Sequence, residues 1–299
     1  MQSEFILTNV ISSCNPQANE SIYTMPELPE VETVCRSLSL HLPGRTIERV
    51  IVRAPQIRHT LDSDEFNGFC QGRKIVELRR RGKYIVAELE GSRALLLHLG
   101  MTGAYRVVES EAEIKKHEHV LFELDNGKSW RYEDARRFGI LKCVQLPAPG
   151  MIPEDLFDLG PEPLGDEFTT EYLFKASRKR VKPLKNFIMD SKIVVGVGNI
   201  YAAEALFRSG LSPFRPAGKL KKKEAELLVN KIREVLSLAI EAGGTTISDF
   251  KTPDGSEGYF FRALEIYGRE DEACIKCASP VKRSVQAGRS TFYCNKCQR

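Results

Sequence analysis

The sequence predicts an α+β protein in which an N-terminal β-sandwich domain precedes a helical domain and a small C-terminal β-hairpin. Three observations lead to this fold class. Short strand-like runs crowd the first half of the chain, a stretch rich in proline and glycine follows, and helical periodicity governs the second half. Four regularly spaced cysteines then close the sequence. A chain of 299 residues, 42% of them apolar, is long enough for about two domains.

The first predicted element is a helix over residues 29–42. Its apolar positions repeat with helical spacing, at Val31, Val34, Cys35, Leu38 and Leu42. Glu30 and Glu32 lie in the first turn, where the helix dipole favours anions, and Pro43-Gly44 ends the helix. Eight strands follow, over residues 46–53, 74–80, 84–89, 94–99, 104–108, 120–124, 129–132 and 139–145. Asp125-Asn126-Gly127 predicts a hairpin between two of them.

The proline- and glycine-rich stretch predicts a domain boundary, with residues 25–148 before it and a linker over 149–165. Helices are expected over residues 170–179, 183–189, 199–208 and 221–242, in a domain that ends at 265. Residues 245–265 are expected to form a long loop, and residues 266–299 a final unit with one strand over 290–293.

The final unit carries four cysteines in the spacing C-x2-C-x16-C-x2-C, namely Cys274, Cys277, Cys294 and Cys297. Pairs of cysteines two residues apart can both reach one metal ion with little rearrangement of the backbone, so we expect one structural Zn²⁺. Disulfide bonds are the weaker alternative, because nothing else in the chain indicates export. The other four cysteines are scattered and receive no role, and no organic cofactor is expected.

Basic side chains cluster in the second half of the chain, although the net charge is only +4. Residues 175–192 hold seven basic residues and one aspartate, and residues 219–223 hold four lysines. These clusters indicate a polyanionic partner, while solvated helix faces are the alternative for any one of them. No apolar run is long enough to span a membrane, and the sequence contains nothing that requires an oligomer, so a monomer is expected.

The segment Met25-Pro26-Glu27 resembles a protein start, although 24 residues precede it. An α-amino group is far more often neutral at pH 7 than a lysine, so an N-terminal Pro26 would be an effective nucleophile that forms a cationic iminium. Glu27 beside it could act as a general acid. The alternative is that Pro26 only begins a helix. We expect residues 1–24 to be absent from the mature chain.

Two further motifs fit contact with nucleic acid. Gly196-Val197-Gly198-Asn199 precedes a helix whose N-terminus could bind a phosphate, with Asn199 as its cap; a plain capping turn is the alternative. Met101 lies in a turn between strands and Phe138 at a strand start. Side chains on such loop tips can enter a DNA duplex and fill the gap left by a flipped base. Packing in the core is the alternative for both.

Together these segments resemble the formamidopyrimidine-DNA glycosylase family over nearly all of residues 25–299. The resemblance rests on several motifs in the same order along the chain, namely residues 26–32 (PELPEVE), 81–84 (RGKY), 98–103 (HLGMTG), 136–139 (RRFG), 159–164 (LGPEPL) and 195–201 (VGVGNIY), with the four cysteines after them. Each motif is weak alone, but their joint presence is highly specific.

The resemblance implies a helix–two-turn–helix in the helical domain, a C-terminal zinc finger and a cytoplasmic, nucleoid-associated bacterial enzyme of base excision repair. It implies removal of 8-oxoguanine and formamidopyrimidines from damaged double-stranded DNA, followed by β,δ-elimination. Pro26 would form the Schiff base, Glu27 would donate protons and Lys83 would assist elimination. Phosphates would be held by Asn199, Lys185 and Arg289, and His117 and Arg180 would make weaker contacts with DNA. Met101, Arg136 and Phe138 would fill the void, and Arg136 would read the orphaned cytosine. Residues 245–265, with Thr246 and Tyr259, would cover the flipped base.

Two related branches fit the sequence less well. The endonuclease VIII branch begins with a Pro-Glu-Gly-Pro pattern and lacks the Met, Arg and Phe trio, and the plant branch lacks the cysteine finger. A non-catalytic binder of DNA damage is the main rival if residues 1–24 are retained, since Pro26 would then lack a free amine. A zinc-ribbon transcription factor is the third hypothesis, and it predicts sequence-specific binding to undamaged DNA.

Overall fold

The computed structural model describes residues 25–245 and 260–299, which form two sheets, six helices and a C-terminal hairpin. The predictions for residues 1–24, Thr246 and Tyr259 therefore lie outside the described residues. The α+β fold class is confirmed, with a β-sandwich first, helices second and the cysteine-bearing hairpin last. Within the described residues, no helix is long and apolar enough to cross a membrane.

The first helix, α1 (Leu28–Ser39), begins with a capping box. The Glu30 carboxylate accepts the N–H of Glu27 at 2.9 Å, which satisfies a donor that the helix start leaves free. The predicted end at residue 42 is wrong by three residues. Leu42 precedes Pro43, and a residue before proline is disfavoured in the helical conformation, so the chain leaves the helix early.

All eight predicted strands are present, and each lies within about two residues of its expected bounds. Their bounds are β1 Ile47–Val52, β2 Ile75–Arg81, β3 Tyr84–Leu89, β4 Arg93–His98, β5 Gly103–Glu109, β6 Glu118–Leu124, β7 Lys128–Asp134 and β8 Ile140–Gln145. They form two four-stranded antiparallel sheets in the orders β1-β6-β7-β5 and β2-β3-β4-β8. The Asp125-Asn126-Gly127 turn joins β6 to β7 as predicted.

The helix α2 (Ser63–Cys70) was not predicted. It has eight residues and buries only Phe66 and Cys70, so it carries too short an apolar stripe to produce a helical period. A local signal was nevertheless present, because the side chain of Asp62 caps the helix by accepting the N–H of Glu65.

The second half of the chain is helical, as expected. It contains α3 Thr170–Ser177, α4 Leu184–Ile188, α5 Asn199–Arg208 and α6 Lys222–Glu241, and the hairpin β9 Lys282–Gln286 with β10 Arg289–Tyr293 follows. One apolar core joins these helices to the hairpin, and a separate core lies within the sandwich. Leu28 packs into the helical core, whereas Val31, one turn later, packs into the sandwich core. The segment that begins at residue 25 therefore lies where the two halves meet.

A partly buried ion-pair network joins the two halves beside that segment. The Arg80 guanidinium contacts the Glu32 and Glu162 carboxylates, each at 2.7 Å. Glu162 also accepts the backbone N–H of Gly82 at 2.6 Å. Gly82 is left-handed, with φ of 59°, and a Cβ there would lie 2.9 Å from the Val195 side chain. The turn that carries Lys83 is thus fixed against the helical half.

Candidate active site

A cavity of about 380 Å³ opens at the junction of the two halves. It brings together the predicted site residues Glu27, Lys83, Asn199 and Arg289, which are far apart in sequence. Its remaining lining residues are Met25, Met101, Gly198, Tyr267, Gly288 and Ser290. Acidic, basic and amide side chains therefore converge on one cavity formed by the sandwich, the helical domain and the finger.

Glu27 lies at the N-terminus of α5. Its carboxylate accepts the backbone N–H groups of Gly198 at 2.8 Å, Ile200 at 3.0 Å and Tyr201 at 3.4 Å. A Cβ on Gly198 would lie 2.2 Å from Glu27 Cδ, so glycine at this position is what admits the carboxyl group. The helix dipole and these donors stabilise a negative charge on Glu27.

The same contacts correct the interpretation of the Gly196–Asn199 motif. The N–H groups of Gly198 and Ile200 bind the Glu27 carboxylate, so they are not free for a phosphate. The predicted cap is also wrong, because Gly198 is the N-cap and Asn199 is the first helical residue. Asn199 instead points its amide toward the cavity, where Nδ2 donates to the Tyr267 hydroxyl at 3.4 Å. Its Oδ1 atom is buried and has no partner within the described part of the chain.

Burial sets the protonation of the two central groups. Removal from water raises the pKa of Glu27, although the nearby Lys83 ammonium acts in the opposite direction. Burial lowers the pKa of Lys83, which the Glu27 carboxylate opposes and the Arg289 guanidinium reinforces. The cavity therefore favours a protonated carboxyl and a neutral amine more than water does.

Glu30 is a functional candidate that the sequence interpretation placed only at a helix start. Its buried carboxylate accepts the Glu27 N–H, the Tyr201 hydroxyl at 2.6 Å and the Thr245 N–H at 2.7 Å. It therefore joins the Glu27 backbone to α5 and to Thr245, which follows α6. The Glu-x-x-Glu spacing of Glu27 and Glu30 was the available signal, because it matches a capping box.

Lys185 is buried, unlike a typical phosphate-binding lysine. Its Nζ atom donates to the Ser290 carbonyl at 2.8 Å and to Thr291 Oγ1 at 2.7 Å, both in the finger strand β10. Burial lowers its pKa to about 8, and the Arg289 guanidinium contributes to that direction. Lys185 thus holds the strand that begins with Arg289, whose own side chain is exposed and lines the cavity. Direct contact of Lys185 with a phosphate stays a prediction.

A second cavity, of about 600 Å³, adjoins the first. Met101, Arg136 and Phe138 all line it, as their proposed shared role requires, and Met25 lines both cavities. Phe138 is 48% exposed, so packing in the core is excluded for it. The Arg136 guanidinium carbon lies 5.0 Å from the centre of the Phe138 ring. These three side chains stand on two adjacent loops of the sandwich.

His98 also lines the second cavity, and the sequence interpretation assigned it no role. Its Nδ1 atom accepts the Gly100 N–H at 2.9 Å, which leaves the proton of the neutral ring on Nε2. Burial lowers its pKa to about 4, and Lys83 and Arg58 add to that shift. His98 is therefore a neutral donor beside the cavity. Its sheet partner is Tyr84, next to Lys83. The available sequence signal was its place at the start of the 98–103 motif.

Besides Lys185, three predicted site residues lie away from the linings of the two cavities. His117 precedes β6, and Arg180 follows α3 on the exposed surface of the helical half. Neither lines the two cavities, so their contacts with DNA stay predictions. Pro26 is buried beside Glu27, and in this chain its nitrogen belongs to the peptide bond with Met25.

The four cysteines of the final unit meet at one point. The sulfur atoms of Cys274, Cys277, Cys294 and Cys297 all lie within 4.8 Å of one another. Two separations are 3.9 Å (Cys274 to Cys297) and 3.5 Å (Cys277 to Cys294). Sulfurs at the corners of a tetrahedral zinc site lie about 3.8 Å apart, given Zn–S bonds of about 2.3 Å. The cluster therefore fits a metal ion with four thiolate ligands.

Comparison with known proteins gives the same assignment over most of the chain. A family model described as the formamidopyrimidine-DNA glycosylase N-terminal domain matches residues 25–141, and one described as the H2TH domain of that glycosylase matches residues 159–251. A protein named formamidopyrimidine-DNA glycosylase from Thioalkalivibrio sulfidiphilus is 48% identical over 278 residues, which are 92% of this chain and 100% of the relative.

Solved structures agree. The MutM (Fpg) protein of Thermus thermophilus is 42% identical, with a TM-score of 0.80 over 91% of this chain and 98% of the other. A structure of MutM in complex with DNA that contains carbocyclic 8-oxo-G has a TM-score of 0.81 and 30% identity, and the match covers 92% of this chain and 100% of that one.

Proposed function

The chain belongs to the formamidopyrimidine-DNA glycosylase family, and we propose that it excises oxidised purines from duplex DNA and then cleaves the abasic site. The observation that carries this proposal is the Glu27 carboxyl group, held at the N-terminus of α5 in a cavity shared with Lys83. The complex of the related MutM protein with DNA that contains carbocyclic 8-oxo-G supports the substrate class. We infer that the enzyme acts as a monomer, in the cytoplasm where bacterial chromosomal DNA lies.

Glu27 is proposed as the general acid of base release. Burial raises its pKa, so the carboxyl group retains a proton that it can give to the leaving purine as the bond to C1′ breaks. The resulting carboxylate is then stabilised by the N–H groups of Gly198 and Ile200. Because these donors are already in place, the developing charge requires no rearrangement of the protein.

Pro26 is proposed as the nucleophile of the lyase reaction. Its nitrogen attacks C1′ of the deoxyribose while the base departs, and the N–H proton of the resulting ammonium passes to the Glu27 carboxylate. Glu27 then gives this proton to the ring oxygen as the bond between that oxygen and C1′ breaks, which leaves an iminium ion. This cation accepts the electrons released when C2′ loses a proton, and the phosphate at C3′ then leaves. A second elimination expels the 5′ phosphate. The lowered pKa of Lys83 suits a base that assists the proton removal.

This role requires a free amine, so we propose that residues 1–24 and Met25 are absent from the active form. Two observations support this start. The family model begins at residue 25, and the relative from Thioalkalivibrio sulfidiphilus is covered over its full length by 92% of this chain. A non-catalytic binder of DNA damage is the alternative, since a chain that retains the extension keeps every other element of the site but lacks the amine.

The remaining site residues are proposed to bind DNA around the flipped nucleotide. Phosphates would be held by Asn199 and Arg289 at the first cavity, by His98 at the second, and by Lys185, which also holds the finger strand in place. His117 and Arg180 would contact DNA farther away. Met101, Arg136 and Phe138 stand together on loop tips, which suits insertion into the space that the lesion vacates.

The test of this function is release of the damaged base. We expect a chain that begins at Pro26 to free 8-oxoguanine from a duplex in which it faces cytosine, and to leave undamaged guanine in place. Mass spectrometry of the released base and gel analysis of the strand measure the two reactions separately. Tight binding of the damaged duplex without release would favour the non-catalytic binder, and equal binding of an unrelated undamaged duplex would argue against a sequence-specific transcription factor.

The metal of the cysteine cluster is proposed to be zinc, held by four thiolates with no open position for catalysis. We expect Cys294→Ser to lower bound zinc from about one per chain to well below one half and to weaken DNA binding at least about tenfold, because metal binding supplies much of the folding free energy of so small a unit. Atomic emission and fluorescence anisotropy measure the two effects. Cys143→Ser, outside the cluster, is the matched control, and full zinc content in Cys294→Ser would contradict the ligand assignment.

A further inference from the structure

Asp134, the last residue of β7, has its carboxylate fully buried between the two loops that line the second cavity. One loop is the turn over residues 99–103, which carries Met101. The other covers residues 135–139 and carries Arg136 and Phe138. We call these the first tip loop and the second tip loop. Neither the proposed chemistry nor the proposed phosphate contacts use Asp134.

Four donors meet this one carboxylate. Oδ1 accepts the Thr102 hydroxyl at 2.6 Å and the Arg136 N–H at 3.2 Å. Oδ2 accepts the Tyr132 hydroxyl at 2.9 Å and the Gly139 N–H at 2.9 Å. Thr102 belongs to the first tip loop, whereas Arg136 and Gly139 belong to the second. Asp134 therefore joins the two loops and occupies all four of its lone-pair positions.

The backbones of the two loops approach each other closely beside this carboxylate. A Cβ on Gly100 would lie 2.6 Å from the Gly139 nitrogen, and one on Gly139 would lie 2.1 Å from the Tyr132 hydroxyl. Between Arg136 and Phe138, Arg137 is left-handed, with φ of 59°, and its N–H contacts the Asp134 carbonyl at 3.3 Å. A non-glycine residue keeps that conformation only where its surroundings enforce it.

From this geometry, and on the basis of the proposed function, we propose that Asp134 is the positioning residue that sets the two tip loops relative to each other and thereby determines which base is accepted opposite the lesion. Met101, Arg136 and Phe138 must enter one small space together, so an error in the spacing of their loops disturbs all three. Asp134 does not itself reach the cavity lining and acts through the loops.

An amide at this position cannot accept hydrogen bonds at both of the places where the carboxylate does. In Asp134→Asn, the two hydroxyl groups can rotate and accept from the new amide nitrogen. The N–H groups of Arg136 and Gly139 cannot reverse, so whichever way the amide faces, one backbone donor of the second tip loop meets an amide N–H group where it met a carboxylate oxygen. Gly139 would lose its acceptor at residue 134, whereas Arg136 would keep only Thr102 Oγ1, at 3.1 Å. The substitution keeps the size of the side chain and removes one specific bond.

The test measures excision of 8-oxoguanine opposite cytosine and opposite adenine by a chain that begins at Pro26. We compare kcat/KM opposite cytosine with kcat/KM opposite adenine. The ratio of the first to the second is expected to fall about tenfold or more in Asp134→Asn. A 2-aminopurine placed beside the lesion is expected to lose the fluorescence change that reports filling of the void. Borohydride trapping at a preformed abasic site, which reports the Pro26 amine, is expected to stay within about threefold of the parent.

Two further variants keep the test decisive if Asp134→Asn folds poorly. Thr102→Val keeps the branched shape but removes the hydroxyl bond between the loops, and it is expected to lower the ratio, whereas Thr102→Ser is expected to restore it. Glu88→Gln is the matched control, because this buried carboxylate bonds Arg79 and the Gly150 N–H, away from the tip loops. Its ratio is expected to stay unchanged even where its thermal stability falls.

The outcomes separate the two proposals. If the chain that begins at Pro26 carries no substitution and still excises no lesion, both the proposed function and this inference are overturned. An unaltered chain that excises and discriminates, while Asp134→Asn and Thr102→Val keep its ratio, overturns this inference alone. A ratio that falls equally in Glu88→Gln also overturns it, since the effect would then follow general stability.

Discussion

A chain that begins at Pro26 is expected to form a borohydride-stable adduct with DNA that contains 8-oxoguanine opposite cytosine, and the full chain of 299 residues is expected to form at least about a hundredfold less. The physical reason is whether the Pro26 nitrogen is an amine or part of a peptide bond. At the chain start it is a secondary amine, whose pKa near that of other α-amino groups leaves about a tenth of it neutral at pH 7. After Met25 it is a tertiary amide without a nucleophilic lone pair.

The experiment compares the two chains at equal concentration, each verified by intact mass, and measures the covalent complex on a denaturing gel. A chain that begins with glycine in place of Pro26 is the matched control. Its primary amine can still form an imine, so we expect reduced but measurable trapping from Pro26→Gly. An equal yield of adduct from the full chain, with its extension intact by mass, would place the nucleophile elsewhere, and Lys83 in the same cavity would be the first group to test.

The fold could be predicted well where local pattern controls structure. Runs of alternating or continuous apolar residues determine the eight strands, and the Asp125-Asn126-Gly127 turn fixes one hairpin. Prediction failed where few residues are buried, as in α2, or where a neighbour alters the backbone, as at the end of α1 before Pro43. The cysteine spacing was sufficient to predict the four-thiolate cluster, because all four cysteines lie in one short unit.

The site could be predicted only as a set of residue types. The resemblance pointed to Glu27, Lys83, Asn199 and Arg289, and the structure places all four around one cavity. Their partners depend on packing between distant segments. Nothing local indicates that the Gly198 N–H serves a carboxylate 171 positions earlier in the chain. The N–H groups of Gly198 and Ile200 therefore serve Glu27, whereas a phosphate contact of the Asn199 side chain stays a prediction.

The second large effect is expected from Glu27→Gln, which should slow release of 8-oxoguanine by about 10²–10⁴-fold while the affinity for the lesion duplex stays within about threefold. An amide has nearly the shape of the carboxyl group but cannot give the leaving purine a proton. Because burial raises the pKa of Glu27, base release by the parent should decline as pH rises through that pKa. The residual rate of Glu27→Gln should lack this decline. Single-turnover excision across a pH series, with binding measured by anisotropy, separates the two quantities.

Gly198→Ala tests the same group without changing it. The added Cβ would lie 2.2 Å from Glu27 Cδ, so the carboxyl must leave its place at the start of α5, and displacements of this size can cost about a hundredfold in rate. Gly68→Ala is the matched control, because a Cβ there meets nothing within 4 Å and should leave excision unchanged. Equal losses of binding and excision in Glu27→Gln, or normal excision by a folded Gly198→Ala, would contradict the acid role, since proton transfer depends on where the carboxyl is held.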